Sequence, residues 1–198
     1  MGTQVMDAGT KRGRVPVKFV IDATASRFTV QAFAAGLLSS FGHNPTMSIR
    51  DFSGEIECQP ETFDQANIRF TVRTSAMEVL DEMKRDDRRK LEQEMYGTVL
   101  EVSRFPEAEF ESKSISVQKL SADLLAVHVT GDLTFHGATQ SHAFDARVTR
   151  LGTMLRISGD FPLSQSEYGI KPFSAAGGTL RLKDEVKFSF ELVARQQE

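Results

Sequence analysis

Few residues in this chain have the chemistry for catalysis or metal binding. His43, His136 and His142 carry imidazoles of a kind that several divalent metals accept, but no two of them have HxxxH spacing, and they read as turn and strand-end residues. Asp132, Asp145 and Glu167 have the carboxylates needed to trade protons, yet on strands such groups face outward and are solvated. No G-x-S-x-G, H-E-x-x-H or Walker-type spacing occurs. Gly177-Gly178 neither follows an apolar strand nor opens a helix, so it is not a phosphate loop. Cys58 is the only cysteine, which excludes an internal disulfide and a CxxC metal site and leaves a buried, inert thiol. These residues assign no catalytic group, no metal and no cofactor.

The elements that hold them follow from hydropathy. Leu125, Val127, Val129, Leu133 and Phe135 share one parity, with polar or small residues on the other, which predicts a long strand with one apolar face. After His136-Gly137-Ala138-Thr139-Gln140 the alternation resumes at His142, Phe144, Ala146 and Val148, completing a hairpin. Shorter runs precede it: Val17 to Ile21 and Phe28 to Ala32 around Asp22-Ala23-Thr24, then Met47 and Ile49, Phe52 to Cys58, and Ile68 to Val72. Ala108 and Phe110 share a face, but the parity changes before Ile115 and Val117, which predicts a bulge around Ser112 to Ser114. Leu155 to Phe161 and Val186 to Leu192 complete the set. One stretch changes period: Asp81 to Tyr96 is rich in helix formers, with an apolar seam of Leu91 and Met95, and is expected to be a surface helix.

About nine strand candidates and one helix describe an all-β chain, and closure into a single antiparallel eight-stranded lipocalin-like barrel removes exposed edges. At 198 residues the chain suits one domain over 16–198, with a polar, Gly-containing extension over 1–15 expected to be disordered. The 24 basic and 27 acidic residues are interspersed and sum to −3, which asks for neither nucleic acid nor an anionic membrane surface. No apolar stretch is long enough to span a bilayer, and the first residues lack a signal-peptide core, so a cytoplasmic location without stable membrane insertion is expected.

The order of motifs resembles the YceI family. The matching pieces are Phe19-Val20-Ile21-Asp22; Ser53-Gly54-Glu55-Ile56; Arg104-Phe105-Pro106-Glu107-Ala108-Glu109-Phe110-Glu111-Ser112; Val129-Thr130-Gly131-Asp132-Leu133-Thr134-Phe135-His136-Gly137-Ala138-Thr139; and Asp184-Glu185-Val186-Lys187-Phe188. They cover about residues 17 to 195. Two pieces depart from the family pattern, Arg85-Asp86-Asp87-Arg88 and Gln165-Ser166-Glu167-Tyr168-Gly169. The resemblance implies a lipocalin-like barrel that binds a long isoprenoid or other lipid chain inside.

The inward aromatic set has two readings, a filled core or a ligand-binding lining, and the resemblance favours the second. The expected lining is Phe28, Val30, Ile56, Phe70, Val72 and Phe110, continued by Val129, Phe144, Ile157, Phe188 and Phe190. Each buried methylene contributes about 0.8 kcal/mol against an association cost of roughly 4–15 kcal/mol, so a chain on the order of twenty carbons is needed. The implied function is non-enzymatic carriage of a long isoprenoid, quinone-like or fatty-acyl chain. The alternative is an enzyme acting on a lipid-type substrate at the barrel mouth, with His43, His136 or Glu167 in the chemical roles. A homodimer is left open. A long chain must enter a closed barrel through an end, and the breaker-containing segments Phe33 to Pro45 and Gly169 to Gly178 are expected to be the lid. In that reading Phe33, Leu37, Leu38, Phe41 and Phe173 pack on the outer part of the ligand, and Tyr168 offers its hydroxyl to the polar end.

Overall fold

A computed structural model describes residues 15–35, 44–59, 63, 65–175 and 180–197. Its strands are β1 (Val17–Ile21), β2 (Arg27–Ala35), β3 (Thr46–Ile49), β4 (Phe52–Cys58), β5 (Asn67–Arg73) and β6 (Met77–Val79), then β7 (Glu107–Lys119), β8 (Leu124–Phe135), β9 (Ala138–Leu151), β10 (Met154–Ser164), β11 (Ser174–Ala175) and β12 (Leu180–Gln196). The single α-helix among the described residues, α1 (Arg85–Glu94), continues into a π-helical turn, Met95–Val99.

The first six strands are three staves, each broken once. β1 pairs with β4 and β2 with β3, so β1 and β2 together run beside β3 and β4. β4 pairs with β5 and β3 with β6, which repeats the arrangement one stave further on. The backbone stays hydrogen-bonded across the breaks: Arg50 N–H donates to the Ala76 carbonyl and Arg73 N–H to that of Asp51. Ladders β5–β7, β7–β8, β8–β9, β9–β10 and β10–β12 follow in chain order, and β12 returns to both β1 and β2. The result is an eight-stranded up-and-down antiparallel barrel, as the alternation predicts. The expected bulge is also present, as a register shift between Ser112 and Ser114 in the β7–β8 ladder.

Local chemistry explains the breaks. The Asp22 carboxylate accepts from the Thr24 and Ala25 amides and from the Thr24 hydroxyl, closing a short 3₁₀ turn between β1 and β2, and it pairs with Arg195 of β12 at 2.9 Å. Hydrogen bonds from Thr24 and Arg195 hold its carboxyl down at about 2. The β8–β9 connection is a two-residue turn with φ of 49° at His136 and 77° at Gly137, the doubly left-handed geometry that matches strand twist. A Cβ at Gly137 would lie 2.6 Å from the Phe105 ring. The His-Gly piece of the sequence motif is therefore a turn requirement.

The helix is shorter at its start than the expected Asp81 to Tyr96. Arg88 donates to the carbonyls of Val79 and Asp81, and the Asp81 carboxylate accepts from the Thr46 amide at 2.8 Å. These contacts hold the chain before Arg85 extended, and no side chain caps the helix earlier.

One ladder is incomplete. β9 and β10 pair only from Ala146 to Leu151 with Met154 to Gly159, although β9 stays paired to β8 down to Ala138 and β10 to β12 as far as Ser164. The β10–β12 ladder runs through Pro162, so the N–H that proline lacks is the one that would face β9. Side chains close this seam: His142 and Phe144 of β9 meet Phe161 of β10 with ring centroids 4.9 and 5.5 Å apart.

Candidate functional site

The inward parity of the sheet builds a girdle of phenylalanines. Phe70 meets Phe28 at 5.6 Å, Phe28 meets Phe188 at 5.8 Å, Phe188 stacks on Phe161 at 5.1 Å, Phe161 meets Phe144 at 5.5 Å, and Phe144 meets Phe110 at 5.5 Å. Phe110 is in turn the cross-strand partner of Phe70, which closes the ring. Inward glycines make room for these side chains. A Cβ at Gly54 would lie 2.7 Å from Phe70, and one at Gly131 would lie 2.6 Å from Phe110. The rings lie against bare backbone, as aromatic cover over strand glycines requires.

The girdle surrounds an inner cavity of about 140 Å³. A second cavity of about 90 Å³ lies toward the helix. Met77, Phe135, Leu163 and Phe188 line both and form the neck between them. The outer cavity is walled by Leu91, Met95, Val99 and Leu100 from the helix and the segment after it, with Pro45 and Phe173 from the two expected lid segments. The helix, Pro45 and Phe173 thus share one end of the barrel. An apolar cavity of about 150 Å³ holds one benzene, so the inner cavity as shaped here takes a six-carbon group. A longer chain requires the neck side chains to change rotamer.

The structure brings most of the expected lining together. Phe28, Ile56, Phe70, Val72 and Phe110 line the inner cavity, as do Phe144, Ile157, Phe188 and Phe190. Val30 and Phe173 line the outer one. Three of the expected residues lie elsewhere. Val129 is buried in the core but lines neither cavity. Phe33 has the outward parity of β2, opposite to Phe28, Val30 and Ala32, and its ring lies under the Lys183 ammonium at 6.0 Å. Tyr168 is 1% exposed, ends the short 3₁₀ turn after β10 and lines neither cavity; its hydroxyl is without a partner among the described residues, and burial and the Glu167 charge push it up to about 12. Leu37, Leu38, Phe41 and His43 fall outside the described residues.

Several lining residues lie beyond the set that the sequence suggests. Leu133, Phe135, Phe161 and Leu192 carry the same parity signal as their neighbours. Met77 sits in a three-residue strand too short to show a period. Leu91 and Met95 form a visible seam, but nothing in the sequence says what it faces.

The polar candidates are mostly occupied. Asp132 pairs with Lys113 at 3.2 Å and Asp145 with His128 at 2.7 Å. At Glu167 it is the backbone carbonyl, not the carboxylate, that accepts from the Gln140 side-chain amide. His136 Nδ1 lies 3.2 Å from the Tyr168 carbonyl, its Nε2 lies 3.4 Å from the Glu101 carboxylate, and its ring packs on Phe105 at 4.3 Å, which ties the hairpin turn to two neighbouring loops. Among the described residues no three His, Cys, Asp or Glu side chains are grouped to hold a metal ion. Cys58 is buried and its thiol is pushed up to about 11 by desolvation. No helix among the described residues is long and apolar enough to cross a membrane.

Comparison with known proteins agrees with this architecture. The YceI-like domain model matches residues 19–194. BcnA of Burkholderia cenocepacia has a similar structure, with a TM-score of 0.68, 17% identity and coverage of 87% of this chain and 98% of its own. A polyisoprenoid binding domain from Saccharophagus degradans, implicated in plant cell wall breakdown, superposes with a TM-score of 0.65 at 14% identity, covering 90% of this chain and 98% of that one. The YceI protein of Campylobacter jejuni gives 0.58 at 17% identity, over 77% of this chain and 85% of its own. No curated protein matches. With a family model spanning nearly the whole barrel, the chain belongs to the YceI-like family.

Proposed function

We propose that this protein binds and carries a long apolar lipid inside its barrel, without transforming it. The observation that carries this reading is the chemistry of the two adjacent cavities: a phenylalanine girdle within, mostly aliphatic side chains without, and among the described residues no charged side chain in either lining. Such a surface recognises carbon. A chain of twenty buried carbons gains about 16 kcal/mol from desolvation, which exceeds the roughly 4–15 kcal/mol cost of association. Because the cavities as shaped hold far less, the neck made by Met77, Phe135, Leu163 and Phe188 must open, and the chain would then run from the inner to the outer cavity. That a structural neighbour is a polyisoprenoid binding domain supports an isoprenoid as the chain.

Entry is assigned to the end where the outer cavity lies, between the helix and Pro45 and Phe173, the described residues of the expected lid segments that line it. The test is native mass spectrometry of protein purified without detergent, followed by organic extraction and identification of what is released. A lipid at one copy per chain is expected. Repeated recovery of empty protein that also takes up no added twenty-carbon isoprenoid alcohol contradicts the reading.

A further inference from the structure

The inner cavity offers a ligand almost nothing but carbon. Among the described residues only two polar ones line it, Thr74 and His142. The Thr74 hydroxyl donates its proton to the Phe105 carbonyl at 2.7 Å, so it has no donor left for a ligand. His142 Nε2 is buried and has no hydrogen-bond partner among the described residues. Two other buried polar atoms share that condition, His136 Nε2 and the Tyr168 hydroxyl, but neither residue lines the inner cavity, and His136 Nε2 has the Glu101 carboxylate nearby. A buried polar atom left unpaired costs stability and calls for an explanation.

His142 also stands at a particular place in the wall. It lies on the part of β9 that is not paired to β10, and its ring meets Phe161 edge-on across that seam. The seam is where the barrel is closed by side chains instead of backbone hydrogen bonds. A small shift of two rings there does not break a ladder.

We propose that His142 is the polar anchor of the ligand site: its Nε2 hydrogen-bonds the polar end of a long apolar chain at the β9–β10 seam, and that end is uncharged, an alcohol or a carbonyl. This rests on the lipid-carrying reading above. The uncharged end follows from the lining. Among the described residues no lysine or arginine lines either cavity, so a carboxylate or phosphate would be buried against aromatic carbon with no described cation to meet it. Burial also lowers the His142 pKa, against an opposing pull from the Glu167 charge. The ring is therefore neutral near pH 7, and its Nε2 is a donor in one tautomer and an acceptor in the other. An alcohol satisfies either tautomer, and a carbonyl satisfies the donor form.

The test measures transfer of three labelled probes from phosphatidylcholine vesicles to the delipidated full-length protein at pH 8: a twenty-carbon isoprenoid alcohol, its hydrocarbon and its carboxylic acid. His142→Leu is expected to weaken uptake of the alcohol about tenfold, the factor carried by one hydrogen bond, and to leave the hydrocarbon unchanged. His142→Gln, which keeps a donor, retains most of the alcohol affinity. Equal loss for alcohol and hydrocarbon, or no loss for either, overturns the anchor. Acid uptake as strong as that of the alcohol overturns the uncharged end. Should the variants fail to fold, the ring ¹⁵N shifts of His142 in the wild-type protein decide: a change at Nε2 on adding the alcohol, and none on adding the hydrocarbon, supports the anchor, and identical spectra overturn it. If the wild-type protein takes up none of the three probes, the lipid-carrying reading itself fails and the anchor falls with it.

Discussion

The inner and outer cavities meet at four side chains, yet they are built by different means. The inner one is walled by strands, and its rings are held by cross-strand neighbours and by glycines that leave room for them. The outer one is walled on one side by Leu91 from the ten-residue α-helix and Met95 from the π-helical turn that follows it. Apart from the β9–β10 seam, the sheet wall moves only by breaking a ladder. A helix packed by a few aliphatic side chains moves at the cost of those contacts, and π turns interrupt helical regularity where function asks for it. Under the proposed lipid-carrying function, the difference gives the two cavities different work: the inner one sets what is bound, and the outer one sets how it enters.

The neck is the place to break this distinction. Phe188→Ala removes a ring that lines both cavities and stacks on Phe161, and it is expected to cost about 4 kcal/mol of stability. The same variant joins the two spaces, so it should take up small aromatic probes faster than the wild-type protein; chemical denaturation and probe titration check the two effects. Gly131→Ala attacks the inner wall alone. Its Cβ would lie 2.3 Å from the Glu111 carbonyl oxygen and 2.6 Å from the Phe110 ring, and a loss of about 3 kcal/mol is expected from overpacking, read as a lower denaturant midpoint with an unchanged slope.

Met95→Ala attacks the outer wall. It should cost about 2 kcal/mol and speed exchange of bound lipid more than it weakens equilibrium binding, as stopped-flow release measurements would show. If Met95→Ala changes affinity and leaves the release rate alone, the division of labour between the cavities is wrong. The smallest effect concerns the barrel seam at Asp22. Its folded carboxyl titrates at about 2, below the ordinary value of 3.8. The stabilisation it gives is therefore present above pH 3.8 and is lost as pH falls through 2. Asp22→Asn should flatten the dependence of the thermal midpoint on pH across that window and leave the slope above about pH 5 unchanged.

What is legible in the sequence divides along the same line. The inner wall is a matter of parity: Phe28, Phe70, Phe110, Phe144 and Phe188 alternate with polar residues, and the period of two alone decides which way they point. Phe33 shows the limit of reading residue type over parity. It is apolar in an apolar segment, but it lies one residue out of phase with Phe28, Val30 and Ala32, and its ring sits outside under the Lys183 side chain. The outer wall depends on where the helix docks, which is a tertiary fact. Leu91 and Met95 announce an apolar seam without announcing its partner. Strand count leads to the expectation of closure, which the structure bears out, and the proline at 162 carries the signal for the unpaired stretch of β9 within it.

The central claim is that a long apolar chain lies inside the barrel along the line from the phenylalanine girdle to the helix. Isotope-filtered NOE spectra of ¹³C-labelled protein with an unlabelled twenty-carbon isoprenoid alcohol test it most directly. The predicted result is a set of contacts from the ligand's methyl groups to the rings of Phe110, Phe144 and Phe188 and to the methyl groups of Leu91 and Met95. Contacts confined to exposed apolar side chains such as Leu120 and Leu151 on the outside of the barrel would contradict it.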